Sequence, residues 1–187
     1  MRTSQAHDSW NRSVDRIRSR ETAVFLIFCA VAICAACSRT TPLADGTKPN
    51  KVVILKSDHI MTLMNGSRVL RSYRIALGRS PVGRKTRRGD HRTPEGNYTV
   101  DAKESHSRFH LALHISYPNQ ADRERAQRAG VDTGGDVEIH GLQNGLGWIG
   151  SLHRAIDWTD GCIAVTDSEI DEIWGIIPVG TPVEIRP

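Results

Sequence analysis

The chain has 187 residues, 39% of them hydrophobic, with 25 Lys plus Arg against 21 Asp plus Glu. That length suits one globular domain with a flanking segment, since domains commonly run roughly 100–200 residues. The formal charge of +4 does not mark a nucleic-acid binder: from Lys51 onward 18 basic residues stand against 17 acidic ones, so most of the excess lies N-terminally, whereas a nucleic-acid binder carries it on the folded domain.

In chain order, an arginine-rich opening segment precedes Thr22–Ala36, which carries no charge. A basic stretch, an apolar run of about 15 residues and then small residues form the pattern of a secretory signal. The run is short for a membrane span, which needs roughly 17–25 apolar residues. Ala35-Ala36-Cys37-Ser38 resembles a bacterial lipoprotein cleavage site, although Cys34 stands where a leucine-like residue is usual. Residues 1–38 are therefore expected to be a signal peptide, a lipoprotein leader or a membrane anchor. Residues 39–50, rich in Thr, Pro, Gly and Asp, are expected to be a linker.

The domain from residue 51 reads as mainly β. Val52–Leu55 and Ile60–Met64 are short apolar runs, and Asn65-Gly66 signals a hairpin turn before a strand over Val69–Leu77. Gly78–Arg92 reads as an exposed loop, with Arg84-Lys85-Thr86-Arg87-Arg88 as its solvated basic patch. Thr93-Pro94-Glu95-Gly96 makes a turn, and strands follow over Asn97–Lys103 and Phe109–Ser116. Pro118–Ala129 predicts a helix stopped by Gly130; it has little apolar surface and should lie at the periphery. Val137–Ile139 is a short strand ending at His140, and Cys162–Val165 is another. Thr166-Asp167-Ser168-Glu169 is a capping box that starts a helix through Ile177, and Val183–Ile185 is a last strand. Many short strands with two modest helices predict a β-sandwich or barrel with short peripheral helices.

Cys162 is the only cysteine after residue 37. In an exported domain a lone thiol is buried and inert, paired with another chain, or reactive. Cys162 follows Gly161 and Asp160, and His140-Gly141 stands upstream, which favours a nucleophile. A thiol attacks carbonyls as a thiolate and needs a base or a lowered pKa. His140 is the candidate base, and the backbone N–H groups of Asp160, Gly161 and Cys162 are candidate oxyanion donors. A metal peptidase built on His140, His153 and Asp157 is a rival reading, weakened by the lack of a His-Glu-x-x-His pattern. A non-catalytic envelope lipoprotein that binds glycan strands or a partner is another. His106, His110 and His114 are spaced too widely along a strand to bind one ion. Trp148 and Trp158 suit either the walls of a peptide groove or core packing.

His140-Gly141 and Thr159-Asp160-Gly161-Cys162, with Gly89-Asp90-His91-Arg92-Thr93-Pro94-Glu95-Gly96 upstream, resemble the signature of the YkuD-like L,D-transpeptidases. The resemblance covers about residues 51–187 and implies a β-rich sandwich that acts on peptidoglycan stem peptides without metal or other cofactor. It implies that Cys162 forms a thioester, that His140 is the general acid/base, and that the Gly141 carbonyl orients the imidazole. Asp160 stands where the family usually has His, and is expected to point away and hold the loop. Ala164 stands where many members have Arg, so that substrate contact is expected from Arg154 or Arg108, while His114, Tyr117 and Trp158 are candidates to line the cleft. The resulting expectation is an enzyme of the cell envelope that cross-links stem peptides, with hydrolysis or attachment of another acceptor as alternatives. It would be monomeric, membrane-associated through its leader or a lipidated Cys37, and would not bind nucleic acid.

Overall fold

The computed structural model describes residues 46–187. The expected leader, and the linker up to residue 45, lie outside the described residues. Among those described, no helix is long and apolar enough to cross a membrane.

Three strands, β1 (Lys51–Leu55), β2 (Ile60–Asn65) and β3 (Arg68–Arg74), form an antiparallel meander. Alternation drives it: Val52 and Ile54 of β1 and Met61 and Leu63 of β2 are fully buried, while their neighbours are not. Gly66 takes a φ of 59° in the turn between β2 and β3. β8 (Pro182–Arg186) joins β1 in parallel and β4 (Gly96–Ser107) on its other side. β4 serves both halves of the molecule, with Gly96–Thr99 on β8 and Val100–Ser107 on β5 (His110–Ile115). Its register shifts after Val100 and after Glu104, and such irregularities bend a strand. β6 (Glu138–His140) pairs with β5 antiparallel and with β7 (Ile163–Ala164) in parallel, so the order is β3-β2-β1-β8-β4-β5-β6-β7.

The strand read as Val69–Leu77 ends at Arg74 in the structure, because the next residues pair elsewhere. Ala76 exchanges both backbone hydrogen bonds with Ala164 at 2.9 Å, and Thr159 N–H donates to Leu77 O at 3.1 Å. This crossing ties the chain leaving the first strand to the last strand and closes the sheet on itself. It also brings residues 76–79 against the turn that precedes Cys162.

Both predicted helices form, the first starting at Gln120, two residues later than the sequence suggests. α1 (Gln120–Ala129) has an Asn119–Asp122 capping box and ends at Gly130 with φ 65°. α2 (Asp167–Ile176) is capped by Thr166 and Glu169. α1 contributes only Ala126 to the buried apolar set, whereas α2 seals the sheet with Ile170 and Ile173. These meet Leu113, Ile115, Ile139 and Ile163, all fully buried. Each such side chain stabilises the fold by roughly 1.5–3 kcal/mol relative to exposure, so the strands that carry the site rest on a fully buried apolar layer.

Candidate active site

β6 and β7 place the two chemical residues. Ile139 pairs with Ile163 and both face the core, so the alternating residues Glu138, His140, Cys162 and Ala164 share the opposite face. His140 ends β6 opposite Ala164, and Cys162 stands immediately before β7, two residues back along the neighbouring strand.

His140 is 1% exposed. Its Nδ1 lies 2.7 Å from the Gly141 carbonyl oxygen, which can only accept, so Nδ1 carries the hydrogen and Nε2 the lone pair. Phe109 stacks on the ring at 4.3 Å between centroids, and Trp158 approaches edge-on at 5.8 Å. Burial pushes the imidazole pKa down to about 4, against the raising effect of the Gly141 hydrogen bond. Gly141 is required for the turn: a Cβ there would lie 2.7 Å from Asp167 Oδ1 and 3.1 Å from Phe109 O. Its N–H reaches the Phe109 and Leu111 carbonyls at 3.1 and 3.2 Å, while Asp167 Oδ1 accepts the Leu142 N–H at 2.7 Å.

The Cys162 turn is built by Thr159. Its hydroxyl donates to Cys162 O at 2.8 Å and accepts the Gly161 N–H at 3.1 Å. That bond engages the Gly161 amide, so of the three oxyanion donors read from the sequence the structure leaves those of Asp160 and Cys162. Gly161 has φ 136°, and a Cβ on it would stand 2.7 Å from the Arg92 carbonyl oxygen. The Cys162 thiol lies 3.6 Å from the Asp136 carbonyl oxygen. Burial pushes its pKa up to about 11; a hydrogen bond from the Glu138 backbone opposes the rise, the carboxylates of Glu138 and Asp160 add to it, and Lys85 also opposes it.

The resting pair at neutral pH is therefore a thiol and a neutral imidazole. Proton transfer from sulfur to nitrogen is therefore uphill in the resting site, because burial disfavours both the thiolate and the imidazolium. Such a site keeps its thiol protonated until a bound electrophile or a local cation offsets that cost.

A family model for the L,D-transpeptidase catalytic domain, YkuD, matches residues 49–185. The chain belongs to the YkuD family. It is 28% identical over 169 residues to YafK of Escherichia coli (strain K12), covering 83% of this chain and 61% of YafK. Among solved structures it resembles the helical cell shape determining protein Pgp2 from Campylobacter jejuni, with a TM-score of 0.56, 24% identity and coverage of 72% of this chain and 46% of Pgp2. Bdellovibrio bacteriovorus Bd1075 follows at a TM-score of 0.52 and 21% identity, covering 76% of this chain and 50% of that one. The chain thus spans less than two thirds of the length of these relatives. At these identities the structural likenesses establish the fold, which is the mainly β architecture read from the sequence.

Within this YkuD domain, the structure distributes the sequence candidates unevenly. Asp160 is on the surface, where its carboxylate pairs with Arg79 and lies 2.8 Å from His91 Nδ1. The hydrogen bond from Arg79 leads the causes that lower its pKa. His114 pairs with Glu138 across β5 and β6, on the same face as Cys162, and its Nδ1 contacts Asp101. Trp158 borders His140 and an apolar groove of about 390 Å³ that also includes Leu142, Leu146 and Ile149. Trp148 is 81% exposed, so it is no core residue.

Two candidates fall elsewhere. Tyr117, read as a cleft residue, is 3% exposed in the core, with its hydroxyl on the Thr133 carbonyl at 3.0 Å. Its ring packs edge-on against Tyr98, an apolar demand that outweighs its sequence nearness to His114. Arg154 is paired with Glu169, the residue of the α2 capping box. The rival ligand set is not brought together either: Asp157 accepts from Leu77 N–H at 2.7 Å and lies 3.0 Å from His59 Nε2. Among the described residues no group of three His, Cys, Asp or Glu is arranged to hold a metal ion.

The geometry adds residues that the sequence reading passed over. Phe109 and Asp167 support His140-Gly141. Lys85, read as part of a solvated patch, is 6% exposed, while both its neighbours Arg84 and Thr86 are exposed. A single lysine in a run of arginines was the available signal, and it is a weak one.

Proposed function

We propose that this YkuD domain is a cysteine-dependent L,D-transpeptidase of peptidoglycan stem peptides. The observation that carries the reading is the shared face of β6 and β7. It sets a base with a free Nε2 on the same face as the only thiol of the domain, two residues along the register of the neighbouring strand. Cys162 Sγ attacks the carbonyl of the diamino-acid residue that precedes a terminal D-alanine, while its proton passes to His140 Nε2. The carbonyl oxygen takes the electron pair and is met by the Asp160 and Cys162 amides. Collapse of that intermediate breaks the amide bond, and the imidazolium returns the proton to the departing D-alanine amine. An amine from a second stem then attacks the thioester and releases the cross-linked product, whereas water gives the hydrolysed tripeptide instead.

Family membership, a protonated resting thiol and a pinned imidazole support this scheme. Catalytic roles fall to Cys162, His140 and the Gly141 carbonyl, with Gly161 clearing the turn and Asp160 anchoring it to Arg79 and His91. His114 and Trp158 are proposed to line the stem-peptide cleft. We further propose that residues 1–38 direct the chain to the cell envelope, as a signal, lipoprotein leader or anchor, and that residues 51–187 act there as a monomeric catalytic domain.

Intact-mass analysis of the full chain in detergent with purified disaccharide-tetrapeptide tests the proposal. Wild type should form an adduct that maps to Cys162 and release D-alanine, and Cys162→Ala should do neither. Equal consumption of substrate by both proteins overturns the cysteine mechanism. The product masses separate cross-linked dimer from hydrolysed tripeptide.

A further inference from the structure

The loop over residues 79–92 closes on the Cys162 turn and carries a buried ion pair. Lys85 Nζ lies 2.8 Å from Asp90 Oδ1, with side-chain exposures of 5% and 7%. Asp90 has other partners besides Lys85. Burial works against its ionised form, yet Lys85 and the backbone N–H groups of Thr86, Arg92 and Arg87 together hold its pKa down to about 2. Those backbone bonds measure 2.7, 3.1 and 3.1 Å. Peptide dipoles thus already compensate much of the Asp90 charge.

Lys85 is less well matched. An ammonium has three donors, and among the described residues Lys85 makes one hydrogen bond, to Asp90. It is nearly cut off from solvent. A Cβ placed on Gly161 would lie 3.6 Å from Lys85 Nζ, so the ammonium stands against the residue that precedes the nucleophile. Unpaired donors of a buried cation are costly unless a negative charge forms beside them. The charged side chains that act on the thiol are Glu138 on β6, Asp160 in its own turn, and Lys85. The Glu138 and Asp160 carboxylates oppose a thiolate, the Glu138 backbone hydrogen bond favours it, and His140 is neutral at rest. Lys85 is the cation of this set.

We propose that Lys85 is a charge-positioning residue for Cys162, and that its ammonium, held by Asp90 against Gly161, stabilises the thiolate formed as the proton leaves Sγ. The inference rests on Cys162 as the nucleophile of the proposed function. Lys85 touches neither substrate nor the reacting atoms and acts through the sulfur. Asp90 sets how much of its charge the sulfur feels.

The opposing signs within the pair provide the test. The full chain is treated with iodoacetamide at pH 8, and the carbamidomethylation rate is read on the Cys162 peptide by mass spectrometry. Asp90→Asn removes the compensating charge and leaves the ammonium, so the rate should rise about tenfold, one pKa unit. The double variant Lys85→Gln/Asp90→Asn keeps a neutral hydrogen-bonded pair with no unpaired buried charge. Its rate should fall about tenfold below wild type. A pair that merely held the loop would, once weakened, expose the thiol and speed alkylation in both variants. A double variant that reacts as fast as wild type or faster overturns the proposal, as does an Asp90→Asn rate that is not increased. Stem-peptide turnover is measured on the same samples. Loss of the transpeptidase reading, with substrate consumed equally by wild type and Cys162→Ala, leaves the alkylation order standing and so is distinguishable from failure of the Lys85 reading.

Discussion

Gly141→Ala places one methyl group where three elements meet. It would lie 2.7 Å from Asp167 Oδ1, 3.0 Å from Ile170 Cγ2 and 3.1 Å from the Phe109 carbonyl oxygen. Ile170 is fully buried and Phe109 O accepts the Gly141 amide, so neither yields freely. Asp167 can turn, but only by releasing the Leu142 N–H. Overpacking of this kind costs about 1–3 kcal/mol, and the lost hydrogen bond about 1 kcal/mol more. The variant should lose about 2–4 kcal/mol in urea unfolding followed by tryptophan fluorescence. With a urea slope of about 2 kcal/mol/M, the midpoint should drop by about 1–2 M. The Gly141 carbonyl orients His140, so kcat should fall at temperatures where the variant is still fully folded. Gly175→Ala is the internal contrast. It sits in the last turn of α2 with no atom within 4 Å of the added Cβ. Helix propensity alone should stabilise that variant by about 0.5–1 kcal/mol. A Gly141→Ala loss below 0.5 kcal/mol would refute the packing argument, because the close contacts would then be relaxing without cost.

Three further outcomes follow from the site. His140 is held neutral in the fold at about 4 against an ordinary value near 6.5, so between these values the unfolded chain binds the extra proton. Stability should therefore fall as pH drops from about 6.5 to about 4, by up to roughly 3 kcal/mol; the slope should flatten in His140→Gln, and an unchanged slope would discard this source. Glu138→Gln removes the carboxylate beside Cys162 that raises the thiol pKa, so iodoacetamide should label Cys162 faster at pH 8, and a slower rate would contradict the shared face. Tyr117→Phe should cost about 1 kcal/mol in stability through the Thr133 hydrogen bond and leave KM unchanged, whereas a raised KM would return Tyr117 to the cleft.

Much of the architecture was legible because its causes are local. Alternation of two residues in β1 and β2, the capping box at Thr166, and the stop at Gly130 each depend on a few consecutive side chains. The pairing of a histidine-glycine step with a lone downstream cysteine was equally visible, since residue chemistry alone marks it. Tyr117 was misplaced because alternation cannot say which face of β5 its following residues will join. Burial against Tyr98 and Asp122 comes from elements 19 and 5 positions away. The end of β3 at Arg74 depends on Ala164, some 90 positions later, competing for the backbone of Ala76.

By itself, then, the sequence determined a mainly β domain of the YkuD family and singled out the two residues on which the proposed chemistry turns. Tertiary structure decided which polar groups reach them. It engaged the Gly161 amide with Thr159, gave Asp160 to Arg79 and His91, and drew Lys85 out of an arginine-rich surface run into the wall of the thiol site. The reason is geometric. A hydrogen bond or an ion pair needs its partner within about 3 Å, and closing the sheet between Ala76 and Ala164 is what brings the 79–92 loop that near to Cys162.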